Sequence, residues 1–322
     1  MAAGASALPH HGRSAVELLI TAGPLLLLWV LTWPSYRWGH VALCLLLALP
    51  AAGFLVRLFM IQHDCGHGAL FRRRALNDWI GRVIGVLTLT PYDYWRRTHA
   101  VHHAIAGNLD RRGIGDVDTL TVAEHQALGR WRRLAYRLGR NPFVMFGVGP
   151  TYLFLLQYRL PVGRMTKGWG PWVSTMTTNL AIAAVAASMM GFFGVVPFLL
   201  VHVPVVLLSA SIGVWLFYVQ HQFEETDWSP TNEWSMAEAA FHGSSYYEMP
   251  PLLRWFSANI GVHHVHHLCS TIPFYRLRRV VLDHLRLGTI GRLTLHQSLR
   301  CARLALWDEG HGRLVPFGSL RA

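Results

Sequence analysis

Crossing the hydrocarbon of a bilayer as helix takes about 20 mostly apolar residues. Four stretches of this chain meet that requirement: residues 15–33, 41–62, 173–191 and 196–219. The first carries Glu17 near its edge, the second Arg57 near its end, and the fourth only His202. About seven residues join the first pair and a tight Gly191-to-Pro197 turn joins the second, so the chain is expected to make two helical hairpins. The run 33–38, Trp-Pro-Ser-Tyr-Arg-Trp, is no signal-peptidase site. Its tryptophans fit an interfacial belt.

Composition agrees. Of the 322 residues, 52% are hydrophobic and only 14% charged, against roughly 25% charged in soluble domains. That excludes a disordered chain, a disulfide scaffold and an ordinary soluble enzyme. The four scattered cysteines, Cys44, Cys65, Cys269 and Cys301, form no CxxC and read as free thiols of a reducing compartment.

Basic residues set the expected orientation. Between Arg57 and Lys167 lie 17 Arg/Lys, and from Arg254 onward another 10; only Arg13 and Arg37 lie elsewhere. The positive-inside rule then places residues 63–172 and 220–322, with both termini, in the cytoplasm, in a multi-pass protein of a bacterial inner membrane. The net charge of +12 is assigned to this topology and to anionic headgroups. No helix-turn-helix, zinc-finger or RNA-binding signature accompanies it, so no nucleic-acid partner is expected. The whole chain, 1–322, is read as a single domain. Residues 79–89 and 143–156 are apolar but short, and are expected to be interfacial or core helices.

Histidine is the second anomaly: 19 residues, more than Asp and Glu together. His63 and His67 sit at the end of the second apolar stretch. His99, His102 and His103 follow in one cluster, His221 lies just past the fourth stretch, and His263, His264, His266 and His267 close the set. Residues i, i+3 and i+4 share a helix face. The i+3 and i+4 members nevertheless point about 100° apart, so two ions side by side suit them better than one. Setting His264 aside as a packing or hydrogen-bonding residue leaves nine imidazoles, or four to five per ion. That is generous for four-coordinate zinc and suits two first-row transition ions with a position left for oxygen or water. The remaining histidines, His202 included, are singletons or the terminal His10-His11 pair, and are read as structural. Asp64, Asp118, Glu224 and Glu225 are candidates to orient imidazoles by accepting their second N–H.

The boxes HDCGH, HAVHH and HHVHH, with flanks such as GNLDRRGIGDVDTLTV and YVQHQFEETDW, resemble the integral-membrane fatty acid desaturases. The likeness covers roughly residues 40–280 and is nearest the bacterial and plant Δ12 (ω-6) acyl-lipid type. The resemblance implies an all-α membrane protein: four transmembrane helices in a cone, with a cytoplasmic helical cap holding a nine-histidine di-iron site. It implies two iron ions, O2 as co-substrate, and desaturation of a membrane-lipid acyl chain, oleoyl to linoleoyl. The implied ligands are His63, His67, His99, His102, His103, His221, His263, His266 and His267. One departure is Phe217, where some members carry a water-bridging Asn one turn before the lone histidine; Asn259 is a substitute candidate. No His-Pro-Gly-Gly haem motif is present, so electrons are expected from a separate ferredoxin or cytochrome b5-like protein with its reductase. Arg72-Arg73-Arg74 and Arg132-Arg133 could dock such a donor or lipid headgroups. The acyl slot is expected beside Phe59, Leu216 and Phe217, among the spans. The competing enzyme reading is a di-iron membrane hydroxylase of alkanes, sphingolipids or carotenoids. A metal transporter would need ligands near mid-bilayer and a bis-His haem protein facing histidines on the spans; His202 alone lies there.

Overall fold

The structure is a computed structural model that describes residues 8–163 and 165–321. It is an all-α membrane protein in architecture, and the four apolar stretches are its longest helices. In chain order these are α1 (His11–Arg37) and α2 (Val41–His67), then α3 (Arg74–Leu87), α4 (Tyr92–Ile105), α5 (Val122–Ala127), α6 (Arg130–Gly139) and α7 (Gly149–Leu155), which follows a π-helical turn at Val144–Val148. The second hairpin is α8 (Trp169–Phe193) and α9 (Val195–His221), with Gly194 (φ 91°) as its hinge. The cap is completed by α10 (Met236–His242), α11 (Pro251–Phe256), α12 (His263–Leu268), α13 (Phe274–Asp283) and α14 (Leu295–Cys301).

Each long helix extends beyond the apolar stretch that marks it. At 1.5 Å per residue, 27 residues cover about 40 Å, enough for hydrocarbon plus headgroup zones. On α2 and α9 the additional turn carries His63, His67 and His221 to the edge of the apolar layer. Gly68, in the left-handed region at φ 72°, stops α2 immediately afterwards. Both short apolar segments are largely helical, the first in α3 and the second in the π-helical turn and α7. α3 turns Asn77, Gly81 and Ile84 inward and exposes Trp79 and Val83.

Helix α2 is the mast. Its small residues Ala48, Ala51 and Ala52 are buried, and small side chains let membrane helices approach closely. It packs on α1, α3, α9 and the cap. Leu19, Val30, Leu46, Leu180, Phe192 and Leu199 point outward from the four long helices, as a lipid-facing surface requires.

The cap also holds two small sheets that the sequence pattern did not reveal. Strand β1 (Leu120–Thr121) pairs parallel with β4 (Leu304–Asp308), which pairs antiparallel with β5 (Arg313–Pro316). Strand β2 (Tyr246–Glu248) pairs parallel with β3 (Arg292–Thr294). These strands have two to five residues, too short for alternation to register. They clip the C-terminal segment onto the cap.

The two charges within the first pair of apolar stretches meet. Arg57 on α2 and Glu17 on α1 are each 2% exposed and ion-paired. Arg57 also donates from Nε to Thr21 Oγ1 (3.1 Å) and to the Trp255 carbonyl, with its guanidinium 4.0 Å from the Trp255 ring. Arg13 reaches the second Glu17 oxygen at 2.6 Å. One network therefore ties α1, α2 and α11 together. Breaking a buried pair from one side costs about 3–5 kcal/mol. Arg57→Leu is expected to fall near the lower figure, because Arg13 still reaches Glu17. Thermal unfolding in detergent checks it, and the double variant Glu17→Leu/Arg57→Leu should lose less than Arg57→Leu alone.

Candidate metal centre

Four helix segments bring the histidines to one place. The last turn of α2 supplies His63 and His67. Helix α4, entered through Pro91, supplies His99, His102 and His103. The last turn of α9 supplies His221, and α12 supplies His263, His266 and His267. Helix α12 has only six residues, too few to hold itself. It is fixed from outside: Tyr247 N–H on β2 donates to Gly261 O at 2.7 Å. A Cβ at Gly261 would lie 2.3 Å from Tyr247 O, so glycine is required for that approach.

The nine imidazoles fall into two groups. His63, His67, His99, His103 and His266 form one; His102, His221, His263 and His267 form the other. Within each group the ligand atoms lie within 4.8 Å of one another. Each three-histidine box is split between them, its i and i+4 members going to one group and its i+3 member to the other. The groups abut, with the His103 and His267 rings stacked at 4.1 Å.

The Nε2 atoms converge. Separations are 2.9 Å for His63–His99, 3.1 Å for His99–His103, 2.9 Å for His221–His263 and 3.1 Å for His263–His267. Nitrogens bound at about 2.1 Å to one ion at right angles lie about 3 Å apart. The tautomers at one pair are decided by their partners. His102 Nδ1–H donates to the Asp116 carboxylate, and His221 Nδ1–H donates to the Gly243 carbonyl at 3.2 Å. Both Nε2 atoms therefore present lone pairs, and they face each other at 3.1 Å. Two acceptors so placed fit a shared cation. Burial, reinforced by the neighbouring imidazoles, holds His99, His103, His263, His266 and His267 well below the ordinary imidazole pKa. They are neutral at physiological pH, the state that binds metal.

The other expected neighbours divide. Asp64 lies at the cluster, with Oδ1 3.7 Å from His63 Nδ1, and its Oδ2 accepts the Phe274 N–H at 2.7 Å. Asp118 is exposed, and it is its backbone carbonyl that meets Tyr136 and Arg140. Glu224 is exposed and lies 3.6 Å from Arg313; Glu225 is exposed as well. Asn259, at φ 57°, donates to Phe274 O at 3.2 Å and holds a turn. These four are not brought to the imidazoles. The carboxylate that is, Asp116, is one that the sequence pattern does not single out. It lies two residues from Asp118 in Gly-Asp-Val-Asp, and a loop has no periodicity to tell which acid turns inward. The local signal is Gly115 at φ 71°, where a Cβ would meet His102 Cβ at 3.2 Å. His264 donates from Nε2 to Leu287 O, and burial lowers its pKa to about 4. His202 donates to Phe198 O, away from the cluster.

A cavity of about 530 Å³ opens on both groups, reaching His63, His99 and His263. Phe59, Leu216 and Phe217 line it. The Phe217 ring packs 5.2 Å from His102 and 5.3 Å from His221. Trp95, another lining residue, stacks on His99 at 4.8 Å. The lining is mostly apolar and runs along α2 and α9 into the spans.

Residues 36–288 match the family model described as fatty acid desaturase. The chain belongs to the fatty acid desaturase family. A protein of Bacillus subtilis named fatty acid desaturase is 45% identical over 318 residues, 98% of this chain and 89% of that one. Two Synechocystis sp. proteins are more distant: an sn-1 acyl-lipid omega-3 desaturase (ferredoxin), 29% identical, and an sn-1 oleoyl-lipid 12-desaturase, 27% identical. These alignments take in 69% and 70% of this chain and only 62% and 63% of those two relatives. The desaturase is thus an oxidoreductase, and its histidine cluster lies within the matched region.

Partners that orient metal-bound imidazoles typically contribute 10–100-fold in metal affinity. Asp116→Ala is accordingly expected to weaken metal retention about 10- to 100-fold in chelator competition, while Asp118→Ala leaves it unchanged.

Proposed function

We propose that the desaturase holds two iron ions on its nine histidines and inserts a second cis double bond into an acyl chain of membrane lipid. Oleoyl is the substrate class and linoleoyl the product (Δ12/ω-6). The observation that carries this is the pair of convergent imidazole groups opening on one apolar cavity that runs up among the spans. A relative named for oleoyl-lipid 12-desaturation supports the regiochemistry. Another, whose name includes ferredoxin, supports a separate electron donor of ferredoxin or cytochrome b5-like type.

Iron with O2 and two electrons supplies an oxidant able to take hydrogen from an unactivated methylene, chemistry no side chain provides. The chain's own residues do the rest. Asp116 and the Gly243 carbonyl hold His102 and His221 in the tautomer that presents Nε2. Trp95 and Phe217 fix imidazole planes by packing. Leu55, Phe59, Val206 and Leu216 exclude water and hold the acyl chain. An apolar slot separates single methylenes by only about 1–3 kcal/mol. Position must therefore be counted by the slot's depth and by the rigid kink of an existing cis bond.

The single domain sits in a bacterial inner membrane with the histidine cap in the cytoplasm, where the basic residues concentrate. Expression in a host rich in monounsaturated lipid, followed by gas chromatography of its fatty acids, tests the reading. A diene in the lipid fraction is expected, dependent on O2 and on a reduced external donor. New monounsaturates from saturated chains, without diene, would remove the Δ12 assignment. A hydroxylated product would favour an oxygenase instead. Phe59→Ala, which enlarges the slot, is expected to shift the ratio of product isomers while iron content stays constant.

A further inference from the structure

From residue 125 to residue 223 the chain contains no acid, while seven arginines and Lys167 lie between residues 130 and 167. Helix α6 begins this stretch, and its ten residues sort by direction. At 100° per residue, Trp131, Leu134 and Leu138 share one face. They are 68%, 46% and 55% exposed. Arg130 and Arg137 flank that face on one side and Arg132 on the other. Among the described residues no carboxylate is within ion-pair distance of these three arginines.

The opposite face is committed to the cap. Tyr136 OH donates to Ala305 O at 2.7 Å. Arg140 donates to Gln222 Oε1 and Leu304 O, each at 2.9 Å, and approaches Tyr218 OH at 3.3 Å. Tyr218 is on the last turn of α9 and Gln222 follows its end. These bonds set the depth of α6: it is held level with the point where the fourth apolar helix stops. Its outward residues Trp131, Leu134 and Leu138 are left exposed, with the Arg137 guanidinium at the edge of that face 5.2 Å from the Phe317 ring. Exposed apolar residues recur along the chain beyond α6, at Phe143 and Leu156, 78% and 61% exposed, and at Leu160 and Val162, which are exposed and line the cavity.

We propose that α6 is an anionic-lipid docking helix. Trp131, Leu134 and Leu138 insert at the headgroup–acyl boundary, and Arg130, Arg132 and Arg137 snorkel to lipid phosphates on either side. The chain that follows α6 reaches the cavity at Leu160 and Val162, so a docked α6 would hold that side of the molecule against the lipid that supplies acyl chains. An acidic soluble protein would match the arginines and leave Trp131, Leu134 and Leu138 unmatched. The proposal rests on the membrane-lipid reading above. Its test needs no turnover, so failure here is distinct from failure of the desaturation reading.

The full chain carrying Leu134→Cys, labelled with an environment-sensitive fluorophore, is placed in nanodiscs of phosphatidylcholine with or without phosphatidylglycerol. Leu138→Cys serves as second reporter. The chain without either substitution, labelled identically, corrects for the half-buried Cys269. With phosphatidylglycerol present, quenching by acrylamide should be several-fold lower, and quenching by doxyl-labelled lipid correspondingly higher. Arg130→Gln/Arg132→Gln/Arg137→Gln should abolish that difference while leaving the phosphatidylcholine values unchanged. Equal acrylamide quenching at both positions in the two lipids would overturn the proposal. So would shielding that appears only when a reduced acidic ferredoxin is added, which would make the face a protein dock.

Discussion

Nine imidazoles are held together in one buried place, and the fold is arranged around the requirement that their Nε2 lone pairs converge. The pair His102 and His221 shows the constraint in isolation. Both have their Nδ1–H committed to oxygen acceptors, and their remaining lone pairs face each other at 3.1 Å. A buried polar atom without a partner costs about 1–3 kcal/mol. A cation shared by the two lone pairs would offset that cost. Each scaffold feature near the site serves the convergence: the extra turns of α2 and α9, the Gly68 stop, and the strand that grips Gly261.

The same constraint explains the mechanical design of the membrane part. Histidines from both hairpins and from the cap must agree in position to a fraction of an ångström. A hairpin free to slide would lose that agreement. The Arg57–Glu17 pair fixes α1 to α2, and the Arg57 contact with Trp255 fixes both to the cap. The first hairpin and the cap are thereby held together beside the cavity. The proposed carbon-counting slot would need such rigidity, since apolar contacts alone discriminate weakly.

Much of this is legible in the sequence. Apolar length marks the spans, and the i, i+3, i+4 spacing of the boxes points to two adjacent groups; Phe59, Leu216 and Phe217 do line the cavity. These readings work because helices convert spacing into direction. Where the chain leaves helices, that conversion fails. Asp116 and Asp118 are equivalent on paper, and only the turn at Gly115 decides that the first meets His102. Glu224 and Glu225 follow the His221 helix closely, yet the chain turns away after Gln222 and exposes both. Glu17 and Arg57 were visible as isolated charges at span edges, but their pairing depends on how α1 packs against α2. The short strands carry too few residues to leave a pattern.

The central claim is that two imidazole groups hold two irons at once. Iron per chain in the purified protein, read together with its optical and Mössbauer spectra, tests it most directly. The account predicts about two irons per chain in nitrogen-rich, non-haem sites without a Soret band, and loss of iron in His102→Ala but not in His264→Ala. A single metal per chain, a Soret band, or full iron retention in His102→Ala would contradict it.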